Sequence, residues 1–198
     1  MGLFIATSNN DKIKEISAIL NRYGIEYSFP NKGELPIVEE NGKDLSENAI
    51  LKAVSGYKYS QIPTIADDSG LEVDYLNGAP GVFSARFAGE GCSYEDNNRK
   101  LLKLLKGVPY ERRTAHFRTV IAIAINEKEI KTVEGAVGGY ILDKPRGYNG
   151  FGYDPLFYYP PLEKTFAELK PEEKNRISHR GKALIKLEQL LRTGDILK

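Results

Sequence analysis

The run from Thr7 to Lys12 has the composition of an anion-binding helix start. A short apolar stretch precedes it, and isoleucines at helical spacing follow it. Free backbone N–H groups in the first turn, the helix dipole and the Lys12 ammonium together suit a phosphate. The alternative stays open that Asn9 only caps the helix and that Lys12 is solvated. The candidate phosphate-binding residues are Thr7, Ser8, Asn9, Asn10, Asp11 and Lys12.

Two acidic pairs, Glu39-Glu40 and Asp67-Asp68, have the chemistry of a magnesium site. Mg²⁺ prefers hard oxygen ligands and usually takes one or two protein carboxylates, with water and substrate phosphate completing its shell. If the two pairs converge, they meet that demand. In the alternative interpretation, Glu39 and Glu40 are surface charges and Asp67 caps a turn.

The segment Gly150–Pro155 places aromatic residues on both sides of a glycine. Gly152, between Phe151 and Tyr153, would allow a flat ring to approach closely. Asp154 and exposed backbone groups would hydrogen-bond the edge of that ring. The alternative is that both aromatic side chains alternate into a core. The spacing does not match the dinucleotide-binding glycine fingerprint.

A basic group near the end of the chain combines Lys174 with Ser178, His179 and Arg180 at the predicted start of the last helix. Cations and an imidazole at a helix N-terminus would bind a phosphate or a carbonyl oxygen of a base. Alternatively, Ser178 is only a cap and the basic residues are solvated. His116 and His179 are the only histidines of the sequence, and no Ser/His/Asp triad or metal-binding histidine pair emerges.

A strand, a polar turn and a helix are predicted to position the run from Thr7 to Lys12. Leu3–Thr7 is typical of a buried strand, and apolar residues at helical spacing follow it as far as Tyr23. Glu26–Phe29 is predicted to return as a second strand.

The acidic pairs are predicted to lie at the ends of a helix and a strand. Asp44 and Glu47 have capping-box-like spacing, and the helix that they begin continues toward Tyr59. The short strand Thr64–Asp67 then ends in the motif Asp67-Asp68-Ser69-Gly70. This prediction puts the acids at a strand terminus, a common place for chemistry.

The second half of the chain shows a similar mixture of elements. Ser93 is a plausible cap for a leucine-rich helix, and Val120–Ile125 is predicted to pair antiparallel with Ile130–Val137. An aromatic, glycine-rich loop follows from Lys144 to Tyr159, and Ser178 begins or joins a final amphipathic helix. Since no repeat or linker divides the chain, residues 1–198 are predicted to form a single domain.

Composition narrows the class of protein further. Lysine and arginine number 28 against 27 aspartates and glutamates, and the basic residues are scattered, which disfavours a nucleic-acid-binding protein. The lone Cys92 cannot form an internal disulfide, and no basic leader or long apolar segment is present. The sequence therefore predicts a cytoplasmic protein without membrane attachment.

Taken together and in order, these segments resemble the inosine triphosphate pyrophosphatase family, the non-standard purine triphosphate pyrophosphatases. The resemblance spans nearly the whole chain, and six motifs in register make it specific. They are Ser8-Asn9-Asn10-Asp11-Lys12, Glu40-Asn41-Gly42 with Glu47-Asn48-Ala49, Ala66-Asp67-Asp68-Ser69-Gly70-Leu71, Gly81-Val82-Phe83-Ser84-Ala85-Arg86, Phe151-Gly152-Tyr153-Asp154-Pro155 and Ser178-His179-Arg180.

The resemblance implies a mixed α/β fold with a long central sheet and flanking helices, two lobes around an active-site cleft, and a homodimer. It assigns the triphosphate to Thr7–Lys12, with Lys52 as a further phosphate contact, and the metal to Glu40 and Asp68. Asp68 is also the implied proton acceptor. The implied substrate-site residues are Ser69, Phe151, Gly152, Tyr153, Asp154, Lys174, His179 and Arg180.

The expected reaction is magnesium-dependent cleavage of inosine, deoxyinosine or xanthosine triphosphate to the monophosphate and pyrophosphate. A metal-oriented water would attack the α-phosphorus, while Lys12, Lys52 and Lys174 neutralise charge. Arg180 or His179 would donate to the 6-oxygen of the purine. Two rivals stay open: a Maf-like pyrophosphatase, although its Ser-x-Ser-Pro-x-Arg start is missing from this sequence, and a nucleotide-binding module without catalysis.

Overall fold

A mixed seven-stranded β-sheet organises the described part of this computed structural model, which comprises residues 2–31, 34–36 and 38–193. The strands are β1 (Leu3–Ile5), β2 (Tyr27–Ser28), β3 (Thr64–Val73), β4 (Thr114–Ala124), β5 (Ile130–Ile141), β6 (Phe157–Tyr159) and β7 (Lys164–Thr165). Their order in the sheet is β2-β1-β3-β4-β5-β6-β7. β1 is parallel to β2 and β3, whereas β6 is antiparallel to β5 and β7. The predicted mixed α/β class is confirmed.

Local side-chain caps set the starts of the longer helices. Within the described residues the α-helices are α1 (Asn10–Arg22), α2 (Leu45–Ser60), α3 (Tyr94–Leu104), α4 (Pro171–Ile177) and α5 (His179–Thr193). Asp44 accepts a hydrogen bond from the Glu47 backbone at 2.9 Å, and Ser93 forms a capping box with Asp96. Both predicted caps are confirmed. The Glu47 carboxylate instead accepts from the Lys43 backbone, so the Asp44 cap is not a reciprocal box.

The strand that carries the acidic motif is longer than predicted. β3 continues to Val73, so Asp67, Asp68, Ser69 and Gly70 lie inside a strand of 10 residues. Their prediction as a strand terminus was wrong. Aspartate, serine and glycine have low strand propensity, but pairing in the sheet and buried cationic partners override that preference.

The predicted hairpin of the second half is confirmed. β4 and β5 are neighbours in the sheet, and the residues between Ala124 and Ile130 are too few for a parallel crossover. The end of the loop predicted from Lys144 to Tyr159 instead forms β6. The final helix begins at His179, as predicted to within one residue.

The described chain divides into two compact units. The first unit consists of Met1–Asp68, Thr119–Gly135 and His179–Lys198, and the second unit of Ser69–Arg118 and Ala136–Ser178. The single domain over residues 1–198 and the cleft between two lobes stay predictions.

Each unit has a hydrophobic core of its own. In the first unit, apolar residues of α1 and α5 pack with those of the strands, namely Ile16, Ile19 and Leu20 with Leu184, Leu187, Leu191, Leu3, Ile5, Ile65, Ile121 and Ile123. In the second unit, α3 contributes Leu101 to a cluster that is rich in aromatic rings, including Phe117, Phe157 and Phe166. Removal of this apolar surface from water stabilises the platforms that carry the polar residues described below.

Among the described residues, none of the helices is both long and apolar enough to cross a membrane.

Candidate active site

The start of α1 is a capped helix end that presents a lysine to the interior of the first unit. The Asn9 side chain accepts hydrogen bonds from the backbone N–H groups of Asp11 at 2.9 Å and Lys12 at 3.2 Å. The Thr7 hydroxyl accepts from the Asn9 backbone at 3.2 Å. Asn9 is therefore a helix cap, as one interpretation of the sequence held, while Ser8 and Asn10 are exposed beside it.

Lys12 points inward, toward the second acidic pair. Its ammonium lies 3.2 Å from Asp67 Oδ1 and 3.4 Å from the Asp67 carbonyl oxygen, and its side chain is only 17% exposed. The alternative of a solvated Lys12 was wrong. Burial lowers the Lys12 pKa, and Lys52 and Arg180 lower it further, while Asp67 opposes them.

Asp67 is a fully buried carboxylate between two cations. Its side chain has 0% exposure, and Arg180 donates to Oδ2 from Nε at 3.2 Å and from Nη2 at 3.0 Å. Burial alone would raise the Asp67 pKa, but the charges of Lys12, Arg180 and Lys52 outweigh it and hold the pKa below its ordinary value. Asp67 does not cap a turn, so that alternative was wrong.

Arg180 joins the first turn of α5 to β3 and α1. Its guanidinium also donates to the Glu15 carboxylate, and its side chain is 2% exposed. The two carboxylates raise the Arg180 pKa against the opposing effect of burial. The alternative that the basic residues near Ser178 are solvated was wrong for Arg180 and for the buried His179.

Close packing fixes the position of that first turn. Gly135, in β5, lies against the backbone of α5. A Cβ atom at Gly135 would overlap the backbone oxygen of His179 and lie 2.6 Å from the backbone nitrogen of Ala183. The first turn of α5, and with it Arg180, therefore needs a residue without a side chain at position 135.

A second lysine brings both predicted metal ligands together. The Lys52 ammonium lies 2.6 Å from Asp68 Oδ1 and 3.3 Å from Glu40 Oε1. Because one ammonium contacts both carboxylates, Glu40 and Asp68 are close enough to share a cation. Glu39 is exposed, as the surface-charge alternative predicted for it.

The ionisation of this second pair reflects its surroundings. Burial raises the Asp68 pKa, and the nearby positive charge of Lys52 does not fully offset that effect. The Lys52 pKa is raised because Asp68, Asp67 and Glu40 outweigh the lowering effect of burial. Asp68 is thus a stronger base than an ordinary aspartate, next to a lysine that stays charged.

Asn48 is a site residue that was not assigned a role from the sequence. It is fully buried, accepts from the Gly42 backbone at 2.8 Å and donates to Asp68 Oδ2 at 3.3 Å. It precedes Lys52 by four residues, so both side chains share one face of α2. That spacing was the available signal for it. Glu15, also missed, gave no local signal because Arg180 is distant in sequence.

The predicted ring-binding segment lies in the second unit and is held by a buried ion pair. Lys174, in α4, contacts Asp154 Oδ2 at 2.5 Å, and the same oxygen accepts from the Phe151 backbone at 2.8 Å. The Lys174 ammonium also lies 5.0 Å from the centroid of the Phe151 ring. The sequence had grouped Lys174 with Ser178–Arg180 at one helix start, but Lys174 belongs to a separate helix, whose C-cap is Ser178.

The two aromatic residues of this segment differ in burial. Tyr153 packs in the core of the second unit, where its hydroxyl donates to the Ser84 carbonyl at 2.9 Å and burial raises its pKa. The core alternative is confirmed for Tyr153, whereas Phe151 is half-buried. Gly150 has φ of +74°, and a Cβ atom there would overlap the Asp154 carboxylate. Ser69, also half-buried, precedes Gly70, which approaches the Gly81 carbonyl closely.

The structure thus groups the predicted residues into two sets, each within one unit. The first set comprises Lys12, Glu40, Lys52, Asp67, Asp68 and Arg180, and the second comprises Phe151, Gly152, Tyr153, Asp154 and Lys174. Within the ranges that the structure describes, no group of three or more His, Cys, Asp or Glu residues could hold a metal ion.

Comparisons with known proteins agree with the motifs. The Ham1 family model matches residues 3–190. The chain is 54% identical to a dITP/XTP pyrophosphatase of Thermoanaerobacter pseudethanolicus, with 96% of each protein covered. It is 50% identical to a dITP/XTP pyrophosphatase of Bacillus subtilis over 94% of this chain and 95% of that protein.

A solved structure shows the same fold. A HAM1 protein from Coxiella burnetii is 41% identical to this chain and superimposes with a TM-score of 0.87, covering 98% of this chain and 99% of the other. The resemblance carried by the six sequence motifs is confirmed. With a match of this length and identity, the chain belongs to the Ham1 family.

Proposed function

We propose that this protein hydrolyses non-standard purine nucleoside triphosphates, those of inosine, deoxyinosine and xanthosine, to the nucleoside monophosphate and pyrophosphate. The dITP/XTP pyrophosphatases named above match nearly the whole chain, which supports this activity. The structural observation that carries the proposal is the buried cluster in which Lys12 and Lys52 contact Asp67 and Asp68. Such a cluster can hold a triphosphate and act as a base beside it.

Glu40 and Asp68 would hold the magnesium ion. Their oxygens already contact one cation, the Lys52 ammonium, and two carboxylates are a usual protein contribution to a magnesium shell. When bound, magnesium supplies positive charge at the phosphates and lowers the pKa of water. The donor set of this cluster therefore fits the ion.

Asp68 is the proposed acceptor of the proton of the attacking water. Its raised pKa makes it a stronger base than a solvent-exposed aspartate, and Asn48 fixes its orientation through Oδ2. Attack at the α-phosphorus would form a bond from the water oxygen and break the bond to the bridging oxygen of pyrophosphate. Lys12 and Lys52, held in the cluster, would offset the charge that builds up on the leaving group.

The segment Phe151–Asp154 is the proposed site for the purine, with Lys174 beside it. The half-buried Phe151 ring offers a face for stacking, and the ion pair of Lys174 with Asp154 keeps polar groups at its edge. A direct contact of Arg180 with the purine 6-oxygen stays a prediction. In this structure Arg180 serves to hold Asp67 in place.

The same family resemblance supports a cytoplasmic homodimer. Sedimentation equilibrium of the purified protein should give twice the mass of one 22.1 kDa chain. A monomer at micromolar concentration would contradict the dimer and would leave the proposed reaction unaffected.

A panel of nucleoside triphosphates with and without magnesium tests the reaction. We expect inosine, deoxyinosine and xanthosine triphosphates to yield monophosphate and pyrophosphate, with adenosine triphosphate a poor substrate. Release of orthophosphate would move the attack to the γ-phosphorus. A preference for another base would favour a Maf-like activity, and binding without turnover would make the protein a nucleotide-binding module.

A further inference from the structure

We propose that Asn98 of α3 is a positioning residue that holds the base-binding segment Phe151–Asp154 and so sets the selectivity between purines. This inference rests on the proposed function, because it presumes that the segment contacts the base. Asn98 does not belong to any motif that carried the resemblance. Its role follows from three contacts of α3 within the second unit.

The first contact joins Asn98 directly to the middle of the segment. Its Nδ2 atom donates to the Gly152 carbonyl oxygen at 2.9 Å, across 54 positions of sequence. Gly152 has φ of +63°, a left-handed conformation that is easily adopted only by glycine. The hydrogen bond from Asn98 therefore restrains the orientation of the peptide that joins Gly152 to Tyr153.

The second contact lies one helical turn earlier. The Tyr94 ring packs against the Phe151 ring with 5.8 Å between centroids and 40° between planes. Tyr94 and Asn98 are four residues apart and share one face of α3, so the same face supports both the ring and the backbone that follows it.

The third contact anchors α3 itself. The neighbouring Asn97 is buried, accepts from the Ala88 backbone at 2.7 Å and donates to the Ala85 carbonyl at 3.1 Å. The Ser93 capping box stiffens the start of the helix. The face that holds Phe151 and Gly152 is thus a fixed support.

Asn98 is not explained as a residue chosen for stability. Its Oδ1 atom is buried and has no hydrogen-bond partner among the residues that the structure describes. A buried acceptor in that state destabilises the folded chain. We attribute the presence of Asn98 to the hydrogen bond from Nδ2 to Gly152, which offsets this destabilisation.

The segment is held from a second direction by Asp154, which accepts from the Phe151 backbone and pairs with Lys174. With Asp154 intact, loss of the Asn98 contact would loosen the Gly152 peptide and leave the ion pair in place. Selectivity that depends on aligned hydrogen bonds falls when the aligned groups can move. Asn98 is therefore expected to affect base choice rather than phosphate chemistry.

The test compares Asn98→Ala and Asn98→Asp with the wild type. Asn98→Asp keeps the shape but replaces the donor with a second acceptor, so it remains informative if Asn98→Ala folds poorly. We expect the ratio of kcat/KM for inosine over adenosine triphosphate to fall about tenfold in both variants, through KM, with kcat for inosine triphosphate within about twofold of wild type. Arg99→Ala is the matched control, since exposed Arg99 pairs only with Glu95 and Asp96 among the described contacts of α3.

Calorimetric binding of inosine and adenosine monophosphates supplies a readout that does not need turnover. The same loss of discrimination is expected there, and an unchanged ratio in both assays would overturn the role of Asn98. A loss of kcat with an unchanged ratio would also overturn it. If the wild type binds and discriminates purines but hydrolyses none, the proposed function fails, and the calorimetric ratio of the Asn98 variants alone then decides the Asn98 inference. If it binds no purine nucleotide, both fail.

Discussion

Two buried lysine–aspartate pairs of nearly equal length lie in the two units and have different surroundings. Lys52 and Asp68 are 2.6 Å apart in the first unit, and their side chains are 15% and 8% exposed. Lys174 and Asp154 are 2.5 Å apart in the second unit, with exposures of 5% and 3%. Further charges surround the first pair, whereas Phe151 and Phe166 rings flank the second.

The difference shows how one kind of contact can serve two purposes. Glu40, Asp67 and Lys12 near the first pair offer alternative partners, so its charges can be shared with a substrate or a metal ion. Aromatic rings near the second pair offer no comparable replacement for either charge. We therefore assign chemistry to the exchangeable pair and support of the binding segment to the fixed pair.

The largest expected effect comes from removing the carboxylate of the Lys52–Asp68 pair, to which we assign the chemistry. Asp68→Asn should lower kcat by about 10³-fold, because the amide can neither accept the proton nor hold the metal as a carboxylate does. Assays of pyrophosphate release by the folded variant and the wild type would measure this fall in kcat. The exposed Asp143→Asn should behave as wild type. Turnover close to wild type in Asp68→Asn would remove this residue from the mechanism.

The next prediction concerns stability and sharpens the contrast between the two pairs. Lys174→Met leaves the Asp154 carboxylate buried without its ammonium partner and should destabilise the fold by about 3 kcal/mol. Lys52→Met should cost less, because Lys12 also lowers the Asp68 pKa and solvent reaches the site. Urea unfolding gives the free energy of unfolding of both variants. Equal losses would show that the different surroundings of the two pairs do not affect their contribution to stability.

The pH dependence of stability tests the charge cluster of the first unit. Because the Asp67 pKa is lowered on folding, its charge stabilises the folded chain above the ordinary value of 3.8, and this contribution is lost as pH falls through the folded-state value. Asp67→Asn should be less stable than wild type by about 2 kcal/mol at pH 7. Unfolding curves should converge as the solution becomes strongly acidic. A gap that widens with acidity would contradict the lowered pKa.

The smallest expected effect tests whether the first pair is exchangeable. Lys52→Met should bind Mg²⁺ about tenfold more tightly in the substrate-free protein, because the ammonium competes for the Glu40 and Asp68 oxygens. Calorimetric titration with Mg²⁺ measures this, with the exposed Lys58→Met on the same helix as control. Weaker binding would mean that Lys52 arranges the ligands instead of competing for them.

Sequence alone predicted the parts of the site that depend on neighbours in the chain. The side chains of Asp44 and Ser93 each cap a backbone N–H group three positions later, so the local sequence is sufficient to predict both caps. The cap by Asn9 is equally local, and it was one of the two interpretations that the sequence offered for Thr7–Lys12. The hairpin of β4 and β5 followed from strand periodicity, whereas the mixed sheet was implied by the family resemblance.

The rest depended on contacts between distant segments. The bond of Asp67 to Arg180 spans 113 positions, so no local pattern shows that the carboxylate is buried and paired. Together with the contacts of Lys52 and Lys12, this bond allows β3 to continue through Asp67–Gly70, four residues with low strand propensity. The strand predicted from the sequence ended there. Lys174 was misplaced because a helix break at Ser178, not visible in its spacing, separates it from Arg180.

Gly135 shows that a residue without any reactive atom can position the charged side chains of the first unit. A single methyl group there would overlap the backbone of His179, so the first turn of α5, which carries Arg180, would have to shift. Engineers who graft or redesign this scaffold should therefore treat that glycine as part of the buried cluster of Asp67 and Arg180.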